Sequence, residues 1–261
     1  MTKIYYFSGT GNSLWSAKKI AEGIGDNCEL HNIGAEGQKG EIVVEADAVV
    51  IVYPSYAYGL PVIVRRFIKK AVFKTPHDAS APYIASFVTY GSSPRGTQGE
   101  LRRILKKKRI GKMFFGGIPA VENYLALFGP PKADTAVRRN DMQEKATEEA
   151  VRSIMERREN RVNTFCPFSV FVSWLFSLGI KFFYKFYRLG ENCSGCAVCE
   201  KICPVSAIVM KDNRPHWTKK CENCQGCVNI CPLRAIQFGR VKFGAAGYIH
   251  HKIKAADLYQ K

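Results

Sequence analysis

Thiols are the most concentrated reactive groups in this 261-residue sequence. Eight of its ten cysteines fall between Cys193 and Cys231, and only Cys28 and Cys166 lie outside. The eight form two copies of the pattern C-x2-C-x2-C-x3-C-P, which begin at Cys193 and Cys221 and are therefore 28 residues apart. Thiolates at such short spacings bind metal in a reducing environment, where structural disulfides are rare. The repeat predicts two similar small units that pack about a pseudo-twofold axis and hold metal.

Hydroxyls and glycines form a second group that could do chemistry, near the start of the chain. Apolar, strand-like residues lead directly into the loop Ser8-Gly9-Thr10-Gly11-Asn12-Ser13, and an apolar helical pattern follows. Backbone N–H groups at the start of a helix attract anions, so this loop can bind a phosphate. It lacks the lysine of a Walker loop, and Leu14 stands where the dinucleotide fingerprint has its third glycine. Amides and hydroxyls alone would hold a bound phosphate monoester, and the alternative is an ordinary polar turn.

The elements that must position this loop follow an alternating pattern before residue 165. Short β-branched runs alternate with helical patterns, which predicts a parallel sheet with helices on both faces. Five strands in about 160 residues suit one doubly wound α/β domain. The predicted strands cover residues 3–7, 28–33, 48–53, 83–90 and 112–118, and the predicted helices cover 13–25, 61–71, 98–109 and 134–161.

Two further strand ends should complete the site, because ligands of open parallel sheets bind beyond the carboxyl ends of the strands. They read YPSYAYGLP at 53–61 and TYGSS at 89–93, and such aromatic and small residues can flank a planar ring. Together with the loop at 8–13, these segments resemble a flavodoxin-like FMN domain over roughly residues 1–160. The resemblance implies that the phosphate is held by Ser8, Thr10, Gly11, Asn12 and Ser13. It also implies that the isoalloxazine ring is bordered by Pro54, Tyr56, Thr89, Tyr90 and Gly91. Tyr58 is an equal candidate for the tyrosine that stacks on this ring.

The doubled cysteine run resembles the signature of two-cluster bacterial ferredoxins, in which the fourth cysteine of each run binds the cluster of the other half. The resemblance implies two 4Fe–4S clusters, one on Cys193, Cys196, Cys199 and Cys231 and one on Cys221, Cys224, Cys227 and Cys203. A zinc site would use paired C-x2-C knuckles rather than triplets followed by Cys-Pro, so zinc is the weaker interpretation. We assign no function to Cys28 and Cys166, and we expect His250 and His251 to lie in a solvated tail.

An aromatic segment at 165–188 separates the two kinds of sequence. As a helix, it places Phe168, Phe171, Val172, Leu175, Leu178, Phe182, Phe183 and Phe186 on one face and Ser169, Ser173, Ser177, Lys181, Lys185 and Arg188 on the other. Residues 165–180 would span only ~24 Å, less than a ~30 Å hydrocarbon core, so we do not expect a transmembrane helix. The favoured interpretation is a helix whose apolar face is buried between two domains, and the alternatives are a membrane-surface helix or a partner-binding helix.

The net charge of +17 restricts the choice of partner. Two clusters and an FMN phosphate would lower it to about +11, so the surface stays basic. The basic residues are spread along the chain without a nucleic-acid recognition motif, so we expect no nucleic-acid binding. Electrostatic steering toward an acidic redox protein is the more economical explanation. Because the chain enters its first strand at once, without an apolar leader, we expect a cytoplasmic location.

The whole pattern is similar to the flavodoxin–ferredoxin fusions of anaerobes, the EFR family of ferredoxins. The similarity lies in the domain order, the FSGTGNS loop and the doubled cysteine motif. It implies a flavodoxin-like domain at 1–162, an amphipathic connecting helix at 163–189 and a small α+β ferredoxin domain at 190–261. The implied function is intracellular electron transfer between FMN and two 4Fe–4S clusters, without substrate chemistry of its own. The alternative is an FMN-dependent reductase of a small substrate that receives electrons through the clusters.

The doubled motif makes a direct prediction about metal content. Reconstituted protein should carry about eight irons and eight sulfides, because each of two clusters contains four of each. Cys203→Ala should damage the cluster that is otherwise bound by Cys221, Cys224 and Cys227, and should spare the other. Iron and sulfide assays with EPR spectroscopy measure both effects. Selective loss of the cluster on Cys193, Cys196 and Cys199 would contradict the crossed assignment.

Overall fold

The computed structural model describes residues 1–36, 40–77, 80–94, 96–162, 167–241 and 244–259. Cys166 and the first residues of the predicted connecting helix lie outside these ranges. The described strands are β1 (Thr2–Tyr6), β2 (Cys28–Asn32), β3 (Val43–Glu45), β4 (Ala48–Pro54), β5 (Val72–Lys74), β6 (Tyr83–Tyr90), β7 (Met113–Pro119), β8 (Tyr187–Leu189), β9 (Ile208–Lys211), β10 (Arg214–Trp217) and β11 (Ile236–Phe238). The described helices are α1 (Asn12–Ile24), α2 (Ile33–Glu36), α3 (Val62–Lys70), α4 (Gly96–Lys107), α5 (Leu125–Phe128), α6 (Ala133–Met155), α7 (Pro167–Phe183), α8 (Val198–Lys201) and α9 (Gly226–Ile230).

Five strands form one parallel sheet in the order β2-β1-β4-β6-β7. At its centre, Ile4 of β1 pairs with Leu30 of β2 on one side and with Val50 of β4 on the other. Numbered along the chain, this order is 2-1-3-4-5, which is the flavodoxin-like arrangement of doubly wound folds. The prediction of a flavodoxin-like α/β fold with a five-stranded parallel sheet is therefore confirmed.

Strand β4 shows why this sequence forms a sheet that is covered on both sides. Its side chains alternate between two cores: Val49 and Ile51 pack with α3 and α4, whereas Val50 and Val52 pack with α1 and α6. A strand buried on both faces needs a continuous apolar run, which AVVIVYP supplies. Each fully buried Val or Ile side chain contributes roughly 1.5–3 kcal/mol, so the centre of the sheet is its most stable part.

The observed element bounds differ from the predicted ones mainly at one helix end. Helix α6 was predicted to run to Arg161 but ends at Met155. Arg157 adopts a left-handed backbone with φ of 49°, which a continuous right-handed helix does not allow. The short parallel pair β3–β5 was not predicted, because three-residue strands carry too little periodicity to be recognised.

The cysteine-rich part of the chain, residues 187–241, repeats in backbone as well as in sequence. Left-handed residues recur at the 28-residue spacing in three pairs, which are Gly195 with Asn223, Ala197 with Gln225, and Ser206 with Arg234. The short helices α8 and α9 begin directly after the second pair, and two antiparallel strand pairs, β9–β10 and β8–β11, flank them. The two halves are therefore similar units, whereas their assignment as a ferredoxin domain stays a prediction.

Residues 247–258 return to the first sheet and cover the start of α1. The backbone N–H of His250 donates to the Thr10 carbonyl at 2.9 Å, and the imidazole stacks on Trp15 with 4.8 Å between ring centroids. His250 is 1% exposed, so its placement in a solvated tail was wrong. The stacking requires a specific tertiary neighbour, Trp15, that the local sequence does not reveal.

Helix α7 has the opposite orientation from the favoured prediction. Ser169 is fully buried, and Ser173 packs so closely on Gly59 that a Cβ at residue 59 would collide with the hydroxyl. Phe171, Leu175 and most of the predicted buried face are instead more than half exposed. The prediction that this aromatic face is buried between the domains was therefore wrong. The small serines allow close backbone approach, and this packing outweighs the usual inward placement of the larger apolar side chains.

Helix α7 with its following turn, Pro167–Phe186, is also the single described helix whose length and composition are compatible with a membrane span. Most of its residues are not buried. The serine face is occupied by the protein itself, which leaves only the aromatic side of the helix accessible.

The buried histidine makes a prediction about acid stability. Burial, with help from His251 and Lys252, lowers the pKa of His250 to about 3. The unfolded chain takes up a proton near pH 6.5 whereas the folded chain does not, so stability should fall as the pH drops below about 6.5. His250→Phe keeps an aromatic ring on Trp15, and it should reduce the loss of unfolding free energy between pH 7.5 and 5.5 by about 1 kcal/mol.

Urea unfolding at the two pH values measures this difference. His216→Phe serves as the control, because His216 is exposed on β10. An identical pH dependence in wild type and His250→Phe would show that this imidazole does not control acid stability.

Candidate functional site

A cavity of about 490 Å³ lies at the carboxyl ends of the parallel strands. Nearly every residue predicted from the flavodoxin resemblance lines it: Ser8, Thr10, Asn12, Ser13, Pro54, Tyr56, Tyr58, Thr89, Tyr90 and Gly91. Gly11 is the one predicted residue that lies outside the lining. The three strand-end loops thus converge on one site, as the geometry of open parallel sheets requires.

Gly11 shapes the first loop from behind instead of lining the cavity. Its φ of 99° is left-handed, and its N–H donates to the Ser8 hydroxyl at 3.1 Å. A Cβ at residue 11 would lie 3.1 Å from the Cβ of His250, so the C-terminal segment also favours glycine here. Helix α1 then begins at Asn12 with no acidic residue in its first turn. Its first N–H groups, which have no intrahelical acceptor, are therefore suited to an anion in the cavity.

Two polar side chains of this loop are already committed to other parts of the protein. The Asn12 amide donates to the Val121 carbonyl at 3.0 Å, and its oxygen accepts from the Tyr248 hydroxyl at 2.8 Å. The Ser13 hydroxyl lies 2.8 Å from the Thr89 hydroxyl, which ties the first loop to the end of β6. These side chains position the loop, and backbone N–H groups remain for a phosphate.

The second loop is a tight hairpin that places two tyrosines against the cavity. The N–H and carbonyl groups of Tyr56 and Gly59 bond reciprocally at 3.1 and 2.8 Å, while Ala57 and Tyr58 both have left-handed φ values, 47° and 60°. Such a conformation usually needs Gly or Asn and costs of order 1 kcal/mol or more per residue. The strained residues form the tip of the hairpin, which borders the cavity. There the Tyr58 ring contacts the Phe168 ring of α7.

Tyr56 forms the wall between the first loop and the cysteine-rich part. Its ring packs edge-on against Phe7 with 6.0 Å between centroids. Burial raises the pKa of its hydroxyl well above the ordinary value, and the neighbouring Cys224 thiol raises it further. Tyr56 is therefore a neutral packing group. Tyr58 at the hairpin tip and Tyr90, whose ring lies over Gly117 of β7, are the other aromatic groups available to a planar ligand.

Sequence reasoning missed the fourth strand end, which follows β7. Glu122 in this segment accepts hydrogen bonds from the N–H groups of Asn123 and Tyr124 at 3.0 and 3.2 Å. Its carboxylate lies where a Cβ at Gly91 would be, so the two loops fit together only with glycine at 91. The same strand-end rule that located the second and third loops could have found this segment. The cavity is completed by side chains that no strand-end rule identifies: Val172, Phe176 and Phe183 of α7 with Asn223 and Cys224.

The eight clustered cysteines fall into two spatial sets. Burial raises the pKa of Cys199 to about 12, and its thiol neighbours are Cys231, Cys196 and Cys193. Burial likewise raises the pKa of Cys227 well above its ordinary value, and its thiol neighbours are Cys224, Cys221 and Cys203. The fourth cysteine of each run thus lies with the first three of the other run. The sets differ in exposure, because Cys196 is exposed whereas Cys203 and Cys227 are buried.

Hydrogen-bond donors surround the sulfurs in a pattern that also follows the repeat. The N–H of Ala207 donates to Cys203 Sγ at 3.1 Å, and the N–H of Ala235 donates to Cys231 Sγ at 3.3 Å. Next to Cys227, the buried indole N–H of Trp217 has no other partner among the described residues and acts on the thiol by lowering its pKa. N–H groups that donate to a sulfur stabilise the thiolate form of cysteine, and the thiolate is the form that binds iron.

In the described part of the chain, no three His, Cys, Asp or Glu side chains converge closely enough to hold one metal ion. The four thiolates of a 4Fe–4S cluster each bind a different iron, so they surround a group larger than a single ion. Two sets of four thiols with N–H donors to their sulfurs are compatible with such a group, and the cluster assignment stays a prediction.

The two parts of the chain meet through backbone contacts beside the cavity. A Cβ at Gly9 would lie 2.7 Å from the Cys224 carbonyl, and a Cβ at Gly226 would lie 2.7 Å from the Gly9 carbonyl. Nearby, burial raises the pKa of Glu222 to about 7, while the N–H groups of Ile63 and Val62 at the start of α3 act to lower it. The Glu222 carboxylate of the cysteine loop therefore lies near the N-terminus of α3, where the helix dipole favours a negative charge.

Known structures offer limited similarity. No protein-family model matches the chain, and comparison with curated proteins gives no match. An azoreductase from Bacillus anthracis is 13% identical, with a TM-score of 0.38, and covers 58% of this chain and 100% of its own. An FMN-dependent NADH-azoreductase from the same species, solved with FMN, is 8% identical, with a TM-score of 0.42, and covers 59% and 98%. Two-electron reduced Megasphaera elsdenii flavodoxin is 17% identical, with a TM-score of 0.33, and covers 57% and 99%.

At these TM-scores the similarities are too weak to assign an activity, and the strand order is the stronger observation for the fold. Each covers little more than half of this chain, so the clusters predicted for residues 190–261 stay a prediction.

The contact at Gly9 makes a prediction about how the two parts are held together. Gly9 does not have a left-handed backbone, so Gly9→Ala is strained only by its collision with the Cys224 carbonyl and Cβ. The substitution should lower the free energy of unfolding by about 1–3 kcal/mol, as overpacking does elsewhere. Gly111→Ala is the matched control, because nothing lies within 4 Å of a Cβ built there. Urea unfolding compares the two, and equal effects would contradict a tight contact at Gly9.

Proposed function

We propose that this protein transfers electrons between FMN in the strand-end cavity and two 4Fe–4S clusters on the eight clustered cysteines. The observation that carries the proposal is that Cys224 lines the same cavity as the loop at 8–13. A cysteine of one thiol set and the proposed flavin site therefore share a wall. Such proximity suits direct electron exchange within one molecule.

When bound, FMN supplies a centre that can accept one or two electrons, and each cluster supplies a one-electron centre. The protein's part is to bind and orient them. The N–H groups at the start of α1 and the hydroxyls of Ser8 and Thr10 would hold the phosphate, and the Asn123 amide, which donates to the Thr10 hydroxyl, fixes that side chain. Tyr58 and Tyr90 would border the isoalloxazine, and Tyr56 would exclude water between it and Cys224.

The two thiol sets would have different roles because they lie at different depths. The set with Cys224 adjoins the cavity, whereas the set with Cys196 reaches the surface. The exposed set is therefore the better position for contact with an external redox protein. The net charge of +17 favours an acidic partner, as proposed from the sequence.

An FMN-dependent reductase is the second candidate, and one feature favours it. Leu127 and Phe128, which line the cavity, are 76% and 61% exposed, so the site has an open apolar mouth beside the proposed flavin. A small apolar substrate could enter there. Turnover of added quinones or nitroaromatics by the reduced holoprotein would favour this alternative, whereas reduction of acceptor proteins alone would favour the carrier.

The phosphate loop provides the first test of the proposal. FMN should bind at least about tenfold more tightly than riboflavin, because helix N-terminal N–H groups act on the phosphate. Ser8→Ala removes the acceptor of the Gly11 N–H, so it should weaken FMN binding and reduce the preference. Thr135→Ala, which removes an exposed hydroxyl of α6 away from the cavity, is the control. Flavin fluorescence titration of apoprotein measures both affinities, and equal binding of riboflavin and FMN would contradict the assigned phosphate site.

The electron-transfer part is tested by an anaerobic redox titration of reconstituted protein, followed by absorbance and EPR. Flavin and cluster signals should both be present and should respond in the same sample. Rapid reduction with a one-electron donor should then distribute electrons between them at a rate independent of protein concentration. A concentration-dependent rate would show that the transfer occurs between molecules and would contradict the proposed shared wall.

A further inference from the structure

Helix α7 presents an aromatic ridge to solvent. Six large apolar side chains on its outer face are about half exposed or more: Phe168, Phe171, Trp174, Leu175, Leu178 and Phe182, with exposed fractions between 49% and 59%. These positions recur at helical spacing and therefore form one continuous stripe. Contiguous apolar surface of this kind on a folded protein usually marks a binding site.

The ridge is held in place by close packing on its opposite side. Ser169 packs on Gly96 and Ser173 on Gly59, at distances that leave no room for a Cβ at either glycine. Ile180 is buried farther along the same side, and Phe183 contacts Phe238 in the cysteine-rich part. The helix cannot turn its aromatic side inward without losing these contacts, so the ridge is a fixed feature of the surface.

Basic side chains border the ridge along one flank. A groove beside the second half of α7 contains the exposed residues Arg66, Lys70, Lys181, Lys185, Lys219 and Lys220. A second groove beside the first half contains Lys69, Arg103, Lys106 and Lys107, all exposed.

The two acidic residues that line these grooves are already engaged with other groups. Glu100 forms an ion pair with Arg65, and Glu222 is buried at the start of α3. The positive charge of the flank is therefore largely uncompensated.

We propose that α7 docks this protein on the surface of an anionic lipid bilayer. The helix would lie parallel to the membrane, with the aromatic ridge among the acyl chains near the headgroups and the flanking Lys and Arg side chains on the anionic headgroups. An apolar stripe next to a basic flank is the pattern of interfacial amphipathic helices, and Trp174 is of the residue type enriched at membrane interfaces.

One observation favours lying on the bilayer over crossing it. The serine face of α7 packs on the sheet domain, whose polar loops cannot enter the hydrocarbon region. The many exposed cations favour anionic lipid over a second copy of this chain, which would bring the same positive grooves together.

Vesicle sedimentation of the holoprotein tests the proposal. Vesicles of equal parts phosphatidylglycerol and phosphatidylcholine should bind the protein at low salt, and phosphatidylcholine vesicles should bind it at least about tenfold more weakly. The variant Phe171→Ser/Leu175→Ser/Phe182→Ser should bind the anionic vesicles at least about tenfold more weakly. Its matched control is Val137→Ser/Met142→Ser/Met155→Ser, which changes exposed apolar residues of α6 and should bind like wild type.

The charge contribution has its own pair of variants. Lys106→Gln/Lys107→Gln/Lys220→Gln removes three positive charges from the grooves and should weaken binding to anionic vesicles. Lys132→Gln/Arg138→Gln/Lys145→Gln removes three exposed positive charges near or on α6 and should have a smaller effect. Brominated lipid should also quench the fluorescence of Trp174, because Trp15 is buried and only Trp174 lies on the ridge.

Several outcomes would overturn the proposal. Wild type could fail to bind anionic vesicles, or the ridge variant could bind as well as its control. Resistance of the bound protein to an alkaline carbonate wash would indicate a spanning helix. Failure to bind vesicles, together with a dimer that the ridge variant converts to monomer in light scattering, would identify a second copy as the occupant. None of these outcomes depends on the proposed redox function, because the vesicle assays do not use electron transfer.

Discussion

The close approach of two loop backbones, at Gly9 after β1 and at Gly226 at the start of α9, is the constraint around which the molecule is arranged. Neither position can carry a side chain without moving the other loop, because a Cβ at either would lie 2.7 Å from a carbonyl oxygen across the contact. This approach makes Cys224 a wall of the strand-end cavity. The surrounding polar contacts depend on the same proximity: Glu222 reaches the start of α3, and the Asn229 amide donates to the Asn123 carbonyl at 3.2 Å.

Helix α7 applies the same principle with a different result. Small side chains at Ser169 and Ser173, placed on Gly96 and Gly59, bring a helix close to the sheet domain. This contact buries only small side chains of α7, so the large apolar side chains on the opposite face of the helix stay exposed to solvent. The arrangement also buries the Ser169 hydroxyl without a partner among the described residues, which costs about 1–3 kcal/mol. The orientation that exposes the aromatic ridge therefore lowers the free energy of unfolding by leaving this hydroxyl without a hydrogen bond.

Sequence patterns predicted the features that depend on local order. The strand Ala48–Pro54 was recognised because a doubly buried strand needs a continuous apolar run, and the loop at 8–13 because a strand, glycines and a helix follow one another. Features set by distant partners were missed. Nothing near His250 indicates that it stacks on Trp15, and the strained Ala57–Tyr58 turn lacks the glycine that usually marks such turns. The orientation of α7 was misjudged because hydrophobic periodicity assumes that the larger apolar face is buried, whereas here the size of the serines decides the packing.

The hydrogen bond between Tyr248 and Asn12 joins residues 236 positions apart and has a consequence for synthesis on the ribosome. The loop at 8–13 emerges early, but its backing by His250 and Ile253 arrives only after nearly the whole chain has been translated. Similarly, Cys203 lies with cysteines that follow it by 18–24 residues, so its set is complete only when Cys227 has emerged, and the set of Cys199 only when Cys231 has emerged. A nascent chain that has formed the parallel sheet therefore still lacks the finished cavity and both complete thiol sets. If the proposed function holds, the cofactors would therefore bind only after nearly the whole chain has been translated.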